Sequence, residues 1–178
     1  MKRPDVKTLV LTGLFIALGL ALPHVTAHIP ELGRRLLPMH LAVLLAGFVV
    51  GPRWGLVAGF ITPLLSSLLF GAPPLFPTAV AMAFELAAYG CLTGVLYSLL
   101  PTRRLYIYAV LIASMVGGRI IWGLTTLTIY GITGGAFTWQ MFVSGAVINA
   151  LPGIVLQLVL IPLIIMALQK GGYLEVRG

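Results

Sequence analysis

The chain alternates between long apolar stretches and short breaks that are polar or rich in proline and glycine. A helix needs about 20 mostly apolar residues to cross a bilayer, and continuous apolar runs differ from the alternating pattern of membrane strands. The pattern therefore predicts an all-α polytopic membrane protein, a six-helix transmembrane bundle that forms a single domain over residues 1–178. The predicted spans are Thr8–Leu22, Leu36–Val50, Trp54–Phe70, Pro77–Leu100, Leu105–Tyr130 and Trp139–Leu168.

Composition supports this class and excludes a water-soluble domain. Of the 178 residues, 60% are hydrophobic and 8% are charged, and the mean hydropathy is +1.08, which is atypical of soluble globular proteins. The net charge of +7 could suggest a nucleic-acid partner. However, the lysines and arginines lie in the short segments between spans, where they orient a protein in the membrane. We therefore expect a lipid bilayer around the chain and no nucleic acid.

The distribution of lysine and arginine predicts the orientation. Cytoplasmic loops carry the excess of these residues, so the N and C termini are predicted to be cytoplasmic. The first apolar run alone is similar to a signal peptide, but the spans that follow it favour a first helix that stays in the membrane. One side receives Lys2, Arg3, Lys7, Arg53, Arg103, Arg104, Lys170 and Arg177, and the other receives Arg34 and Arg35.

Two charged residues fall deep inside predicted spans, Glu85 in the fourth and Arg119 in the fifth. Charges within a bilayer are costly, and they mark functional sites by default. With a helical rise of ~1.5 Å per residue, Glu85 lies ~12 Å, Arg119 ~16 Å and Asn149 ~15 Å from the outer ends of their spans. We expect these three polar groups to share one layer in the outer half of the bilayer.

Residues on the same helix faces complete a candidate pocket. Side chains three or four positions apart on a helix are neighbours, so Met82 and Tyr89 lie beside Glu85. By the same spacing, Met115, Trp122 and Thr126 lie on the Arg119 face, and His40 lies near the outer end of the second span. Aromatic walls with a few polar groups are typical of small-molecule sites. The substrate-binding candidates are therefore Glu85, Arg119, Asn149, His40, Tyr89, Trp122, Met82 and Met115.

The role of the two charges stays open from the sequence alone. One alternative to ligand contacts is a structural ion pair between Glu85 and Arg119 that only neutralises two buried charges. The two interpretations are compatible, because such a pair can lie near a pocket and rearrange when a ligand arrives.

Small residues recur at every fourth position in two regions. Such stripes allow another helix to approach closely, which is how helices associate in lipid. In the first region, the neighbour could be a helix of this chain or a partner protein. In the second, the spacing brackets a Gly-Pro-Arg turn and predicts a closely packed helical hairpin. The first stripe is Gly13, Ala17 and Ala21, and the second is Gly47, Gly51, Gly55 and Gly59.

Together these features carry a family resemblance. The Ala17-x-x-x-Ala21 pattern, the hairpin sequence from Gly47 to Gly59 and about six spans in so short a chain resemble the substrate-binding S component of an energy-coupling factor (ECF) vitamin transporter. The resemblance covers essentially the whole chain. Each motif alone is common in membrane helices, so the combination carries the resemblance.

The resemblance implies an S component in a prokaryotic plasma membrane that binds a vitamin or related micronutrient from the outside. It implies a pocket built from the loop after the first helix and from helices four to six, here near His40, Glu85, Arg119 and Asn149. It also implies that the first stripe of small residues docks on a membrane scaffold, the T component, which carries two ATPases. The chain has no phosphate-binding glycine loop, so any ATP hydrolysis must come from the partners. For the chain itself we expect no enzyme activity and no cofactor.

Other functions fit the residues less well. The alternative is a self-sufficient small transporter or membrane enzyme that uses Glu85 and Arg119 for proton transfer. His24, His28 and His40 could hold a metal ion, but the first two lie in a predicted proline-flanked loop, so we expect no metal site. No protease motif accompanies Ser144, and we expect no catalytic residue.

Overall fold

A computed structural model describes residues 5–26, 35–101 and 103–174, and every regular element in these ranges is helical. The predicted all-α class is therefore confirmed for the part of the chain that is described. Two single π-helical turns, Leu75–Ala79 and Ser144–Ile148, precede the third and the last helix. The α-helices are α1 (Val6–Thr26), α2 (Pro38–Phe70), α3 (Val80–Leu99), α4 (Arg104–Thr133), α5 (Trp139–Val143) and α6 (Leu151–Lys170).

Within the described ranges, five helical stretches are long and apolar enough to cross a membrane. This agrees with the predicted multi-pass membrane protein. Helix α2 is the longest of these stretches, and it covers two of the six predicted spans. The five stretches are Val6–Thr26, Pro38–Phe70, Leu75–Leu99, Arg104–Thr133 and Trp139–Lys170.

The helix α2 is broken at Gly51, whose φ of 82° and ψ of −179° are not helical. A Cβ atom placed on Gly55 would lie 3.0 Å from the Cα atom of Gly47, whereas residues eight apart in a continuous helix are separated by ~12 Å. The chain therefore reverses at Gly51, where the sequence predicted a turn. We call residues 38–50 the first arm of α2 and residues 52–70 the second arm.

Glycines let both arms approach α3 at backbone distance. A Cβ atom on either Gly47 or Gly55 would lie 2.6 Å from the carbonyl oxygen of Gly90. One helical turn further, Gly59 faces the backbone of Leu86, and Gly94 faces the backbone of Pro52. Small residues at such crossings give close van der Waals contact between helices in lipid. These contacts fix α3 against both arms of α2.

Changing Gly90 to Ala tests this contact. The new methyl group would overlap the backbone of Gly55, which cannot rotate away as a side chain can. We expect a loss of about 1–3 kcal/mol in the free energy of unfolding, the usual range for overpacking, measured by thermal unfolding in detergent. Gly131→Ala is the control, because a Cβ atom on this helical glycine would enter open space. Equal unfolding midpoints for the two variants would contradict the close approach.

The core lies between the first arm of α2, α3, α4 and α6. Its fully buried side chains include Leu44, Leu86, Leu111, Ile161 and Ile165, one group from each of these helices. Because lipid is as apolar as these side chains, dense van der Waals packing is the main source of stability between the helices. The core therefore holds four helical segments in a fixed arrangement.

The start of α2 is anchored to α6. Gln157 is fully buried, and its side-chain amide donates a hydrogen bond of 3.3 Å to the carbonyl oxygen of Leu37. A Cβ atom on Gly153 would lie 2.7 Å from the carbonyl oxygen of Arg35, so these backbones also touch. The contacts place the first turn of α2, and with it His40, at a defined position in the bundle.

The first and last predicted spans have different bounds in the structure. The first helix continues past Leu22 to Thr26, although Pro23 lies inside it. The Thr26 hydroxyl donates to the carbonyl oxygens of Leu22 and Pro23 at 3.2 Å, which satisfies acceptors at the helix end. The last predicted span is interrupted between α5 and α6. Pro152 explains the new start, because proline fits the first turn of a helix but not its interior.

Candidate functional site

Four predicted site residues meet in one buried cluster that joins three helices. Arg119 Nη1 on α4 lies 2.7 Å from Glu85 Oε1 on α3, and His40 Nε2 on α2 lies 3.5 Å from the same oxygen. The His40 ring packs edge-on against Tyr89, with 5.6 Å between ring centroids. The Tyr89 hydroxyl also interacts with the Glu85 carboxylate. We call His40, Glu85, Tyr89 and Arg119 the ionic cluster.

The ionic cluster is almost completely shielded from solvent. The Glu85 side chain is 1% exposed, and the Arg119 side chain is 14% exposed. A carboxylate at this depth needs a countercharge, and the Arg119 guanidinium supplies it. The pair is close, but its orientation leaves Glu85 Oε1 without a hydrogen bond of good geometry. Both His40 ring nitrogens and Arg119 Nε also have no hydrogen-bond partner, so the cluster retains unused polar groups.

An open cleft of about 580 Å³ lies at one end of the bundle. This volume is typical of sites for small organic molecules. Its walls come from the π-helical turn before α3, the last turns of α4, the loop after α4, and the segment from α5 to the π-helical turn before α6. We call it the outer cleft, and its lining residues are Pro77, Thr78, Ala81, Trp122, Thr126, Tyr130, Phe137, Thr138, Gln140, Met141, Ser144, Gly145 and Asn149.

Aromatic side chains form one wall of the outer cleft. Phe137 lies edge-on to Trp122, with 5.9 Å between ring centroids, and contacts Tyr130 with a centroid separation of 5.8 Å. Trp122 also stacks with Phe142 at 6.1 Å. A Cβ atom on Gly145 would lie 2.6 Å from the Trp122 ring. The absence of a side chain at Gly145 therefore allows the Trp122 indole to pack directly against this segment.

The polar groups of the outer cleft are uncharged. Asn149 Nδ2 donates to Ser144 Oγ at 3.3 Å, and Gln140 and Thr138 lie on the same wall. The Thr126 hydroxyl is buried and has no hydrogen-bond partner. Among the described residues that line the cleft, no Asp, Glu, Lys, Arg or His is found. The arrangement can donate and accept hydrogen bonds without adding a net charge.

The ionic cluster lies one helical turn below the outer cleft. Ala81 lines the cleft and precedes Glu85 by four residues on the same face of α3. Trp122 lines it and follows Arg119 by three residues on α4, a rise of ~4.5 Å. The partial exposure of Arg119 is consistent with this position. The two sites are therefore neighbouring layers of one region.

The structure places the predicted substrate-binding residues in three locations. His40, Glu85, Tyr89 and Arg119 form the ionic cluster. Trp122 and Asn149 line the outer cleft, and Asn149 is exposed there. The two methionines do not line the cleft: Met115 is buried in the core, and Met82 is partly buried against it. The single predicted pocket thus corresponds to a buried polar layer with a cleft above it.

Several cleft residues were not among the sequence candidates. Tyr130 lies in the last turn of α4, and Phe137 and Thr138 belong to the loop that follows. In the sequence, the pair Gly134-Gly135 indicates a turn at this point of the chain. Aromatic residues lie on both sides of this turn. Gly134 indeed has a positive φ of 76° and ends α4. The turn directs the chain back over Trp122.

The stripe of small residues on α1 lies on the outside of the bundle. Gly13, Ala17 and Ala21 are all exposed, and a Cβ atom placed on Gly13 would meet no other helix within 4 Å. The other face of α1 packs against α2, where Gly19 approaches the Thr62 side chain. The stripe is therefore not used for packing within the described part of this chain.

Comparison with known families decides the classification. The family model described as "ECF transporter, substrate-specific component" matches residues 7–165, which is nearly nine-tenths of the chain. The chain belongs to this family. The resemblance inferred from the sequence is thus confirmed, and the chain is a substrate-specific component of a membrane transporter, a class that is not enzymatic. No curated protein and no solved structure showed significant similarity.

No group of metal-binding side chains is present in the described parts of this family member. Of the three histidines considered for a metal site, His28 lies outside the described residues. His40 contacts Glu85 and Tyr89, and His24 packs against Phe70 at a ring-centroid distance of 4.2 Å. The two described histidines thus have neighbours of different kinds.

Proposed function

We propose that this S component binds a vitamin or related micronutrient in the outer cleft and delivers it across the prokaryotic plasma membrane. The observation that carries the proposal is a cleft of suitable volume, with aromatic and uncharged polar walls, directly above a buried ion pair. Ligand sites are usually mostly apolar, with a small number of placed polar groups. The family membership supports the same role.

The proposal includes six spans, with each arm of α2 crossing the membrane separately and both termini cytoplasmic. Arg53 follows the reversal at Gly51, and Arg103 and Arg104 stand between α3 and α4, which places positive charge at one end of these helices. Such loops face the cytoplasm. The outer cleft, lined by Pro77 and Phe137 at the opposite helix ends, then opens to the outside.

In the proposed binding state, the ionic cluster forms the floor beneath the ligand. Arg119 is the member with residual exposure, and its Nε atom has no partner. It can donate a hydrogen bond upward while Glu85 retains the countercharge. His40 and Tyr89 hold the carboxylate in place from the sides. Ligand binding would therefore reorganise the ion pair without exposing Glu85.

Transport requires partners in this proposal. The exposed stripe Gly13, Ala17 and Ala21 on α1 docks on the T component, which carries two ATPases. Close helix contact through small residues is the usual mode of association in lipid. The sequence lacks a phosphate-binding loop, so the energy of ATP hydrolysis comes from the partner subunits.

The test is reconstitution with defined components. The compound that copurifies with the chain is identified by mass spectrometry, and its uptake into vesicles is measured with and without the T component and ATPases. We expect uptake to require both partners and ATP. Uptake by the chain alone, driven by a pH gradient, would instead support the alternative in which Glu85 and Arg119 transfer protons.

Changing Trp122 to Ala tests the cleft as the binding site. Large aromatic side chains at the centre of an interface contribute most to affinity, so we expect the dissociation constant for the copurified compound to rise about 30-fold. Isothermal titration measures the change. Trp139→Ala is the control, because Trp139 is 75% exposed and does not line the cleft. The same affinity in both variants would place the ligand elsewhere.

A further inference from the structure

The hydroxyl of one residue that lines the outer cleft, Thr126, has no hydrogen-bond partner. Thr126 is 7% exposed and lines the cleft, and its Oγ1 atom has no hydrogen-bond partner. Two other threonines of α4 differ in this respect. Thr128 Oγ1 donates to the carbonyl oxygen of Leu124 at 2.9 Å, and Thr133 Oγ1 donates to that of Ile129 at 3.0 Å. The Thr126 hydroxyl is therefore an unused hydrogen-bonding group beside the open cleft.

An unpaired buried hydroxyl is unfavourable until a ligand or water supplies a hydrogen bond to it. Leaving such a group without a hydrogen bond costs free energy, because its hydration is lost and not replaced. Thr126 stands between Trp122 and Tyr130 at four-residue spacing, so all three share one face of α4. Both aromatic neighbours contact Phe137. A planar ligand that stacks on this wall would bring its polar edge to the hydroxyl.

The charges near the cleft restrict the ligand further. The nearest guanidinium, Arg119, is already paired with Glu85 at 2.7 Å, and the described lining residues bring no other charge. A charged ligand at this depth would need its own countercharge, since a lone charge within a membrane protein is costly. An uncharged ligand avoids this cost and still satisfies the polar groups.

We infer that the outer cleft selects an uncharged, planar nitrogen heterocycle that stacks on Trp122 and hydrogen-bonds through its polar edge to the hydroxyl of Thr126. The inference rests on the proposed function of the cleft and adds the substrate class and a specificity-determining residue. Heteroaromatic rings fit because they combine a stacking face with in-plane donors and acceptors.

The substrate class is tested with a panel of named probes. Thermal stabilisation of the purified chain in detergent is measured with four uncharged rings, namely pyridoxine, riboflavin, lumazine and 4-amino-5-hydroxymethyl-2-methylpyrimidine. Pantothenate serves as the anionic probe and thiamine as the cationic probe. We expect at least one of the rings to raise the unfolding midpoint more than either charged probe does. Stronger stabilisation by a charged probe, or none by any ring, would overturn the inference.

The role of Thr126 is tested with the ring that stabilises the protein most. Thr126→Val keeps the shape but removes the hydroxyl, and we expect its affinity for that ring to fall about tenfold. Thr126→Ser keeps the hydroxyl and should remain within about twofold of the parent. Thr128→Val is the matched control, because this hydroxyl bonds within the helix. Equal affinities for Thr126→Val and the parent would remove Thr126 from the site.

The readouts separate this inference from the proposed function. The unfolding midpoint without a probe shows whether Thr126→Val folds as the parent does. If pantothenate or thiamine binds best and is taken up with ATP and the partner subunits, the uncharged class is wrong while the transport role stands. If no compound is taken up under those conditions, the proposed function itself fails.

Discussion

Changing Glu85 to Gln is expected to lower the free energy of unfolding by about 3 kcal/mol. The change leaves the Arg119 guanidinium inside the bundle without its countercharge, and removing one member of a buried pair costs about 3–5 kcal/mol. The lower end applies because the Arg119 side chain retains 14% exposure. His40 cannot compensate, because it supplies no negative charge. The effect should therefore be at least as large as the loss expected for Gly90→Ala.

A double-mutant cycle measures the coupling between the two residues. Unfolding is followed in detergent for Glu85→Gln, for Arg119→Gln and for the variant that carries both changes. The double variant leaves no unpaired charge inside the bundle, so it should recover much of the stability that either single variant loses. Arg53→Gln is the control for loss of an exposed positive charge. Additive losses in the double variant would contradict the coupling.

The same variants separate a structural role from a binding role for the ionic cluster. The copurified compound is titrated into each variant at a temperature at which all of them are folded. We expect weaker binding by both single variants, because the floor beneath the outer cleft changes its charge. If Glu85→Gln and Arg119→Gln bind as tightly as the parent, the pair serves stability alone and the ligand is held by the cleft walls.

Changing Ala17 to Trp is expected to abolish uptake in the reconstituted complex while ligand binding by the isolated chain stays unchanged. Ala17 is exposed on the outer face of α1, away from the cleft residues. An indole there would keep a partner helix several ångströms away and remove the close packing that holds helices together in lipid. Uptake should fall at least about 100-fold, which corresponds to ~2.7 kcal/mol of lost association.

The control for this variant is the same substitution on another lipid-facing helix. Ala113 on α4 is also exposed, and Ala113→Trp should leave uptake near the parent level. Uptake is measured with ATP and the partner subunits, and binding is measured by titration in detergent. Equal loss of uptake and binding in Ala17→Trp would show that α1 contributes to the ligand site. Unchanged uptake would move the docking surface to another face.

The ionic cluster could be predicted because charge is so unfavourable in lipid. Glu85 and Arg119 stand out in a sequence with 8% charged residues, and they must find each other or another partner. The helical period also predicted that Tyr89 lies beside Glu85. The participation of His40 depends on the anchoring of Leu37 by Gln157, which joins residues 120 positions apart. No local pattern reveals such a contact.

The cleft was harder to predict because much of it lies outside regular helix. The depth of Asn149 was counted along a continuous helix from Trp139, but α5 ends at Val143 and a π-helical turn follows. Asn149 consequently lies in the cleft wall and contacts Ser144. Phe137 comes from a loop that has no periodicity. Its contact with Trp122 follows from the tertiary fold alone.

Residues on one helix face can also belong to different layers. Met115 and Trp122 share the Arg119 face of α4, as the spacing predicted, yet Met115 is in the core and Trp122 in the cleft. Seven residues of helix separate them by ~10.5 Å. The helical period identifies the direction in which a side chain points, whereas depth depends on how the neighbouring helices end.

The glycine contacts between α2 and α3 have a mechanical consequence. Where Gly47 and Gly55 meet Gly90, main chain lies directly on main chain. Such a contact immobilises no side-chain rotamers, so it is tight without the entropic cost of ordering long side chains. It also offers few alternative packings. We therefore expect α2 and α3 to move as one rigid unit when the cleft wall moves. Because α1 packs against α2, we expect α1 to move with this unit.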